Sequence, residues 1–189
     1  MAEGILADRE KALEELFFEK QNRKLVEQLR AEREQTEARE GLSALTGIED
    51  AALIETLVGL ELRPETWAAL SLLPLVEVAW ADGNVDDKER QAVLSAAEAN
   101  GVGRGSASRE LLESWLAERP ASGYLEAWGA SMVELCAQLQ PEEREAMRRE
   151  VTQRARRVAE ATGGFLGMGN RISPDEQRVL DELDKAFAR

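Results

Sequence analysis

Asp82, Asn84, Asp86 and Glu89 set four oxygen-bearing side chains in one acidic stretch, Ala79-Trp80-Ala81-Asp82-Gly83-Asn84-Val85-Asp86-Asp87-Lys88-Glu89-Arg90. Carboxylate and amide oxygens gathered in a tight turn are what a hard divalent cation, Ca²⁺ or Mg²⁺, takes as ligands, and the Val85 carbonyl could add one more. The alternation Asp82-x-Asn84-x-Asp86 copies the first three ligand positions of an EF-hand loop. The rest of that motif is missing: the sixth position is Asp87 where glycine is needed, and the twelfth is Val93 where glutamate is needed. A cation site here would be built differently from an EF-hand. The same residue types also make a helix–turn–helix corner. Gly83 suits the positive φ just past a helix end. Asp86 suits an N-cap, with Glu89 three residues on reaching back in a capping box. On residue types alone both readings stand.

The corner needs a helix on each side. Before it, Trp67, Leu70, Leu73, Val76 and Trp80 recur at three- and four-residue steps, marking a buried helix that Pro74 should kink or divide. After it, Val93, Leu94 and Ala97 give the inner face of a helix ending near Asn100-Gly101. This string, Ala81-Asp82-Gly83-x-Val85-x-x-x-Glu89-Arg90 after an apolar helix, resembles the signature of the TerB-like family of tellurite-resistance and stress-associated helical proteins. The resemblance spans residues 50–189 and implies an all-α fold, a duplicated bundle of short helices with acidic loops that bind divalent metal. It implies Asp82, Asn84, Asp86 and Glu89 as ligands of a divalent cation.

The end of the chain repeats the centre. Laying Ile172 over Val85 sets Ser173 over Asp86 and Glu176 over Glu89, and Ser173-Pro174-x-Glu176 is a capping box with proline at the first helical position. If the two corners pair, Val85 and Ile172 could join them by a short backbone bridge. The second loop departs from the pattern where the chemistry would be: Gly169 stands at the position of Asp82 and Asn170 at that of Gly83. Its tip, Phe165-Leu166-Gly167-Met168, is a candidate contact for a partner or membrane surface, or a filler of the bundle.

Two domains are expected, a charged helical arm over residues 1–46 and the helical bundle over 47–189. Residues 4–40 read as one long helix or a pair. Leu6, Leu13, Leu16 and Phe17 share one side, while Phe18, Leu25 and Leu29 fall on nearly the opposite one. That change of face argues against a simple zipper, and for a bend near Gln21-Asn22 or contact with two surfaces. Asp8-Arg9-Glu10-Lys11-Ala12-x-Glu14-x-x-Phe17 resembles the opening of the small inhibitor subunit of some bacterial ATP synthases, which implies partner binding by the arm. Within the bundle, helices are expected over Asp50–Leu62, Ser108–Glu118, Tyr124–Leu139 and Pro141–Glu160. The last is rich in arginine interleaved with glutamate, a solvated face or a site for an acidic partner. Gly101–Ser106 is a turn and no phosphate loop, since no Lys-Ser/Thr follows and no strand precedes it.

Composition narrows the function classes. The chain has no histidine, which removes imidazole acid–base chemistry and the usual metal-hydrolase ligand sets. No nucleophile-elbow, dinucleotide or kinase signature appears, so the chain reads as non-enzymatic. A net charge of −13 argues against nucleic-acid binding, which needs a basic face. The single Cys136 cannot make an intramolecular disulfide; it lies in an apolar run and reads as buried packing. The lone cysteine makes a reducing cytoplasm the expected location, and with no apolar leader and no stretch of ~18 apolar residues neither export nor a membrane span is expected. Two functions remain: a divalent-cation-binding TerB-like module in a stress response, or a metal-independent adaptor. The adaptor would recruit a protein, soluble or membrane-associated, through residues 1–40 or the 163–170 loop.

Overall fold

The computed structural model describes the backbone of residues 2–162 and 172–187, with side chains from 17 to 160 and from 172 to 187. The expected tip at Phe165–Met168, with Gly169 and Asn170, lies outside the described residues. Among those described, the fold is all-α: nine α-helices, one 3₁₀ turn and no strand. No helix among them is long and apolar enough to cross a membrane.

The first helix, α1, runs from Ala2 to Thr46. It passes Gln21-Asn22, where a bend was expected, as one continuous helix. The continuity has a local basis: the sequence has no proline or glycine between Gly4 and Gly41 to interrupt the helical hydrogen bonds. Nor does the described part of the arm touch two surfaces, since every side chain from residue 17 to residue 37 is exposed. Ala38 and Leu42, in contrast, are buried in the core. The last turns of α1 are thus part of the bundle, and the rest is carried outward on them. The helix stops at Gly47, whose φ of +74° suits glycine and whose N–H donates to the Ser43 carbonyl (2.8 Å).

Asp50 caps α2 (Ala51–Gly59), accepting from the N–H groups of Ala52 and Leu53. A 3₁₀ turn at Pro64–Thr66 leads into α3 (Trp67–Ser71) and α4 (Leu73–Ala79). Pro74 divides these two as expected. It sits in the first turn of α4, where its missing N–H has no helical partner to lose. Every residue of α4 is buried, including Glu77, whose Oε2 accepts from Arg119 Nη2 at 3.0 Å. Around α4 pack α5 (Asp87–Ala99), α6 (Ala107–Ala117), α7 (Ser122–Ala137), α8 (Pro141–Thr162) and α9 (Pro174–Ala186). Cys136 is buried on α7, and burial pushes its thiol pKa up.

The arm's anchorage depends on one glycine. A Cβ added at Gly41 would stand 2.6 Å from Pro64 Cγ, so only glycine lets α1 lie this close to the 3₁₀ turn. Gly41→Ala should lower stability by about 1–3 kcal/mol through overpacking. It should do so although alanine is favoured in a helix by roughly 1 kcal/mol. Adding Pro64→Ala should recover the loss. Urea unfolding of the three variants checks this, and an alanine variant as stable as the parent would refute it.

Candidate functional site

The acidic corner joins α4 to α5. Gly83 takes φ of +90° and its N–H donates to the Trp80 carbonyl (2.9 Å), closing the turn. Asp82 Oδ1 accepts from the Asn84 N–H at 3.0 Å. Asp86 is the N-cap of α5: its Oδ1 accepts from Lys88 N–H (2.7 Å) and Glu89 N–H (2.8 Å). Glu89 Oε2 accepts in return from Asp86 N–H at 2.9 Å, completing the capping box. Each predicted residue therefore has a structural task, with Asn84 contributing its backbone N–H.

Their environments differ. Asp82, Asn84 and Asp86 are exposed, whereas Glu89 is only 5% exposed. Burial pushes the Glu89 carboxyl up to about 7, and the nearby negative charges of Asp86, Asp82 and Glu176 add to the rise. The Asp86 N–H opposes it by stabilising the charged form.

Glu176 comes from the second corner. There Ser173 Oγ accepts from Glu176 N–H (3.2 Å) and Glu176 Oε2 accepts from Ser173 N–H (2.5 Å), the predicted box at the start of α9. Glu176 is 6% exposed. Two separate helix starts thus bring one buried glutamate each to the same end of the bundle. Val85 and Ile172 are half-buried against the core, but among the described residues no backbone hydrogen bond links them.

Among the described residues, no group of three or more Asp, Glu or Cys side chains stands ready to hold a metal ion. Asp82, Asp86 and Glu89 each turn one oxygen toward a backbone N–H of their own corner.

Two residues of the corner act in a way the sequence pattern did not reveal. Trp80 Nε1 donates to the Trp115 carbonyl (2.8 Å), and Arg90 Nη2 donates to the Leu116 carbonyl (2.7 Å). Both carbonyls belong to the last turn of α6, where helical partners are missing. The corner therefore caps a third helix as well as its own two. Arg109, buried on α6, adds Nε to Glu113 (2.7 Å) and Nη1 to the Leu94 carbonyl (3.2 Å), tying α6 to α5.

The second candidate surface is the arm. Phe17, Phe18, Leu25, Val26 and Leu29 are 46–62% exposed, and the two phenylalanine rings meet edge to face at 6.0 Å. Large apolar side chains exposed together on one helix make this stretch a candidate contact surface.

The chain matches no protein-family model, no characterised protein and no solved structure.

Glu89 should leave a signature in pH dependence. Its folded pKa, about 7, lies above the ordinary 4.5. The folded state therefore holds the proton more tightly, and this contribution is full below the unfolded value and is lost as pH rises through the folded one. Glu89→Gln keeps the acceptor of the capping box and removes the charge. Thermal unfolding of the two proteins should coincide near the lower of those pH values and diverge above it, with the glutamine variant more stable at neutral pH and beyond. Parallel pH profiles would show that Glu89 ionises without strain.

Proposed function

We propose that the protein is a non-catalytic adaptor whose helical bundle holds out α1 for a protein partner. One observation carries the reading. A single helix is sealed into the core at Ala38 and Leu42, yet from residue 17 to residue 37 it presents exposed side chains, five of them large and apolar. Leaving such groups in water forfeits roughly 1.5–3 kcal/mol for each that could be buried, so a partner that covers them gains much of that energy.

The test places a photo-crosslinking residue at Leu25 and, as control, at the exposed Glu110 of α6. In cells producing the protein, the Leu25 position should yield a discrete covalent adduct with a polypeptide, and the control should not. Equal labelling at both positions would sink the adaptor reading.

A second reading, the TerB-like one, is supported by the buried glutamate of the acidic corner. Glu89 makes no ion pair among the described residues and lies in the field of Asp82, Asp86 and Glu176. A divalent cation bound by Asp82, Asn84, Asp86 and Glu89 would set positive charge beside the buried Glu89 carboxylate. Such an ion would make this a metal-responsive module of the stress-response type. A ligand at 100 times its dissociation constant stabilises the native state by about 2.7 kcal/mol. Chelator-stripped protein should then unfold at a higher temperature with millimolar Ca²⁺ or Mg²⁺, and Asp82→Asn should lose the rise. No rise with either ion, or with Mn²⁺ or Zn²⁺, removes this reading and leaves the corner a capping device.

A further inference from the structure

We propose that the groove between α7 and α9 binds a small uncharged apolar molecule whose one acceptor oxygen takes the buried indole N–H of Trp128. This goes beyond the adaptor reading and does not depend on it.

The first observation is a donor without an acceptor. Trp128 is 2% exposed, yet its Nε1 has no hydrogen-bond partner among the described residues. A buried indole N–H ordinarily finds one, because an unmet donor carries the full cost of leaving water. Trp80 follows that rule, donating to the Trp115 carbonyl (2.8 Å). The Phe187 ring, itself buried, packs edge to face against Trp128 at 6.1 Å and helps to hold it in place.

The second observation is space beside it. A cavity of about 110 Å³ lies between the two helices, lined by Leu125, Trp128 and Gly129 of α7 and by Val179, Glu182 and Leu183 of α9. It shares Leu125, Gly129 and Glu182 with a wider groove of about 520 Å³ that runs on past Val133 and Ala186. An apolar cavity of about 150 Å³ holds a benzene ring. The deep end here therefore takes the tip of a ligand, and the body lies in the groove.

Gly129 is the third. It stands in the middle of α7, where glycine is disfavoured relative to alanine. No neighbour requires it, since an added Cβ would meet no atom within 4 Å. A bare backbone at this point keeps the passage between cavity and groove open and lets a ligand approach closely.

The lining decides the class of ligand. Leu125, Gly129, Val179 and Leu183 bring no polar side-chain atom, and Glu182 is exposed, so the indole is the donor offered at depth. A buried water makes about three hydrogen bonds and is poorly served by a single donor. A carboxylate is poorly served too. One of its oxygens would stay unmet, and the groove sets Glu126 and Glu182 against Lys185 alone. A carbonyl or ether oxygen at the tip of an apolar body meets the donor and carries no second polar group to depth.

The probes are acetophenone and α-methylstyrene, which keeps the shape and replaces the carbonyl oxygen by a methylene group. The full chain has four tryptophans and so four indole signals in a nitrogen–proton correlation spectrum. Acetophenone should move the Trp128 signal, assigned through its backbone, downfield and to saturation, and leave those of Trp67, Trp80 and Trp115 in place. α-Methylstyrene should bind about tenfold more weakly. In Trp128→Phe the two probes should bind alike. Gly129→Leu, whose side chain enters open space, should keep the fold and abolish binding of both, which keeps the test standing if Trp128→Phe does not fold. Equal affinity for the two probes in the parent chain would overturn the proposal. So would a Trp128 signal unmoved by acetophenone to about 10 mM, or a shift that survives Gly129→Leu.

Discussion

A seven-residue helix buried on every side is the constraint on which the rest of the bundle depends. An α-helix apolar all round must be walled by neighbours. For α4 those neighbours are α5, α6, α7, α8 and α9. Its one charged residue, Glu77, would be costly in that setting without a partner, because an uncompensated buried charge destabilises by several kcal/mol. Arg119, just past α6, provides it at 3.0 Å. The placement of α4 also sets the course of the chain beyond it. Its C-terminal residue pair, Ala79 and Trp80, delivers the chain to the acidic corner, and the Trp80 indole locks that corner to the end of α6.

The corner therefore sits at a junction of three helix ends, and its residue types answer to that. Asp86 and Glu89 serve the start of α5, Gly83 turns the chain out of α4, and Trp80 and Arg90 serve the end of α6. Local physics makes the first part legible in the sequence, because a capping box involves residues three apart and a backbone N–H of the same segment. The Ser173–Glu176 box is legible for the same reason, as is the division of the helix at Pro74. The contacts of Trp80 and Arg90 are not. They join residues 35 and 26 positions apart, and no spacing rule reaches across such a gap. Nor can spacing show that Glu89 and Glu176 are both buried at one end of the bundle. Only the packing of α5 and α9 around α4 brings them there.

Of the two shapes expected for the arm, one long helix or a pair, the single helix is found. Leu13 and Phe17 on one side with Leu25 and Leu29 on the other suggest a bend or two contact surfaces. Both groups belong to a single row of every-fourth residues that winds around an unbroken helix. A segment of this length with no tertiary cover is marginal as an isolated helix, because nucleation is costly. Here the nucleus is supplied elsewhere: Ala38 and Leu42 are held in the core and Gly41 lies against Pro64, so the exposed turns need only propagate outward.

The two candidate surfaces are mechanically separate. The arm packs chiefly on α2 and the 3₁₀ turn, whereas the acidic corner is built by α4, α5, α6 and α9. Among the described residues, the corner's side-chain hydrogen bonds end on its own backbone or on α6, and none reaches α1. A change of charge at Glu89 acts on the start of α5 and its neighbours, and a change at Phe17 or Leu25 acts on groups already in water. Coupling between them would have to pass through the core around α4. A close-packed interior shifts between discrete arrangements and does not deform smoothly. A partner engaging the arm would therefore meet the bundle as a rigid mount.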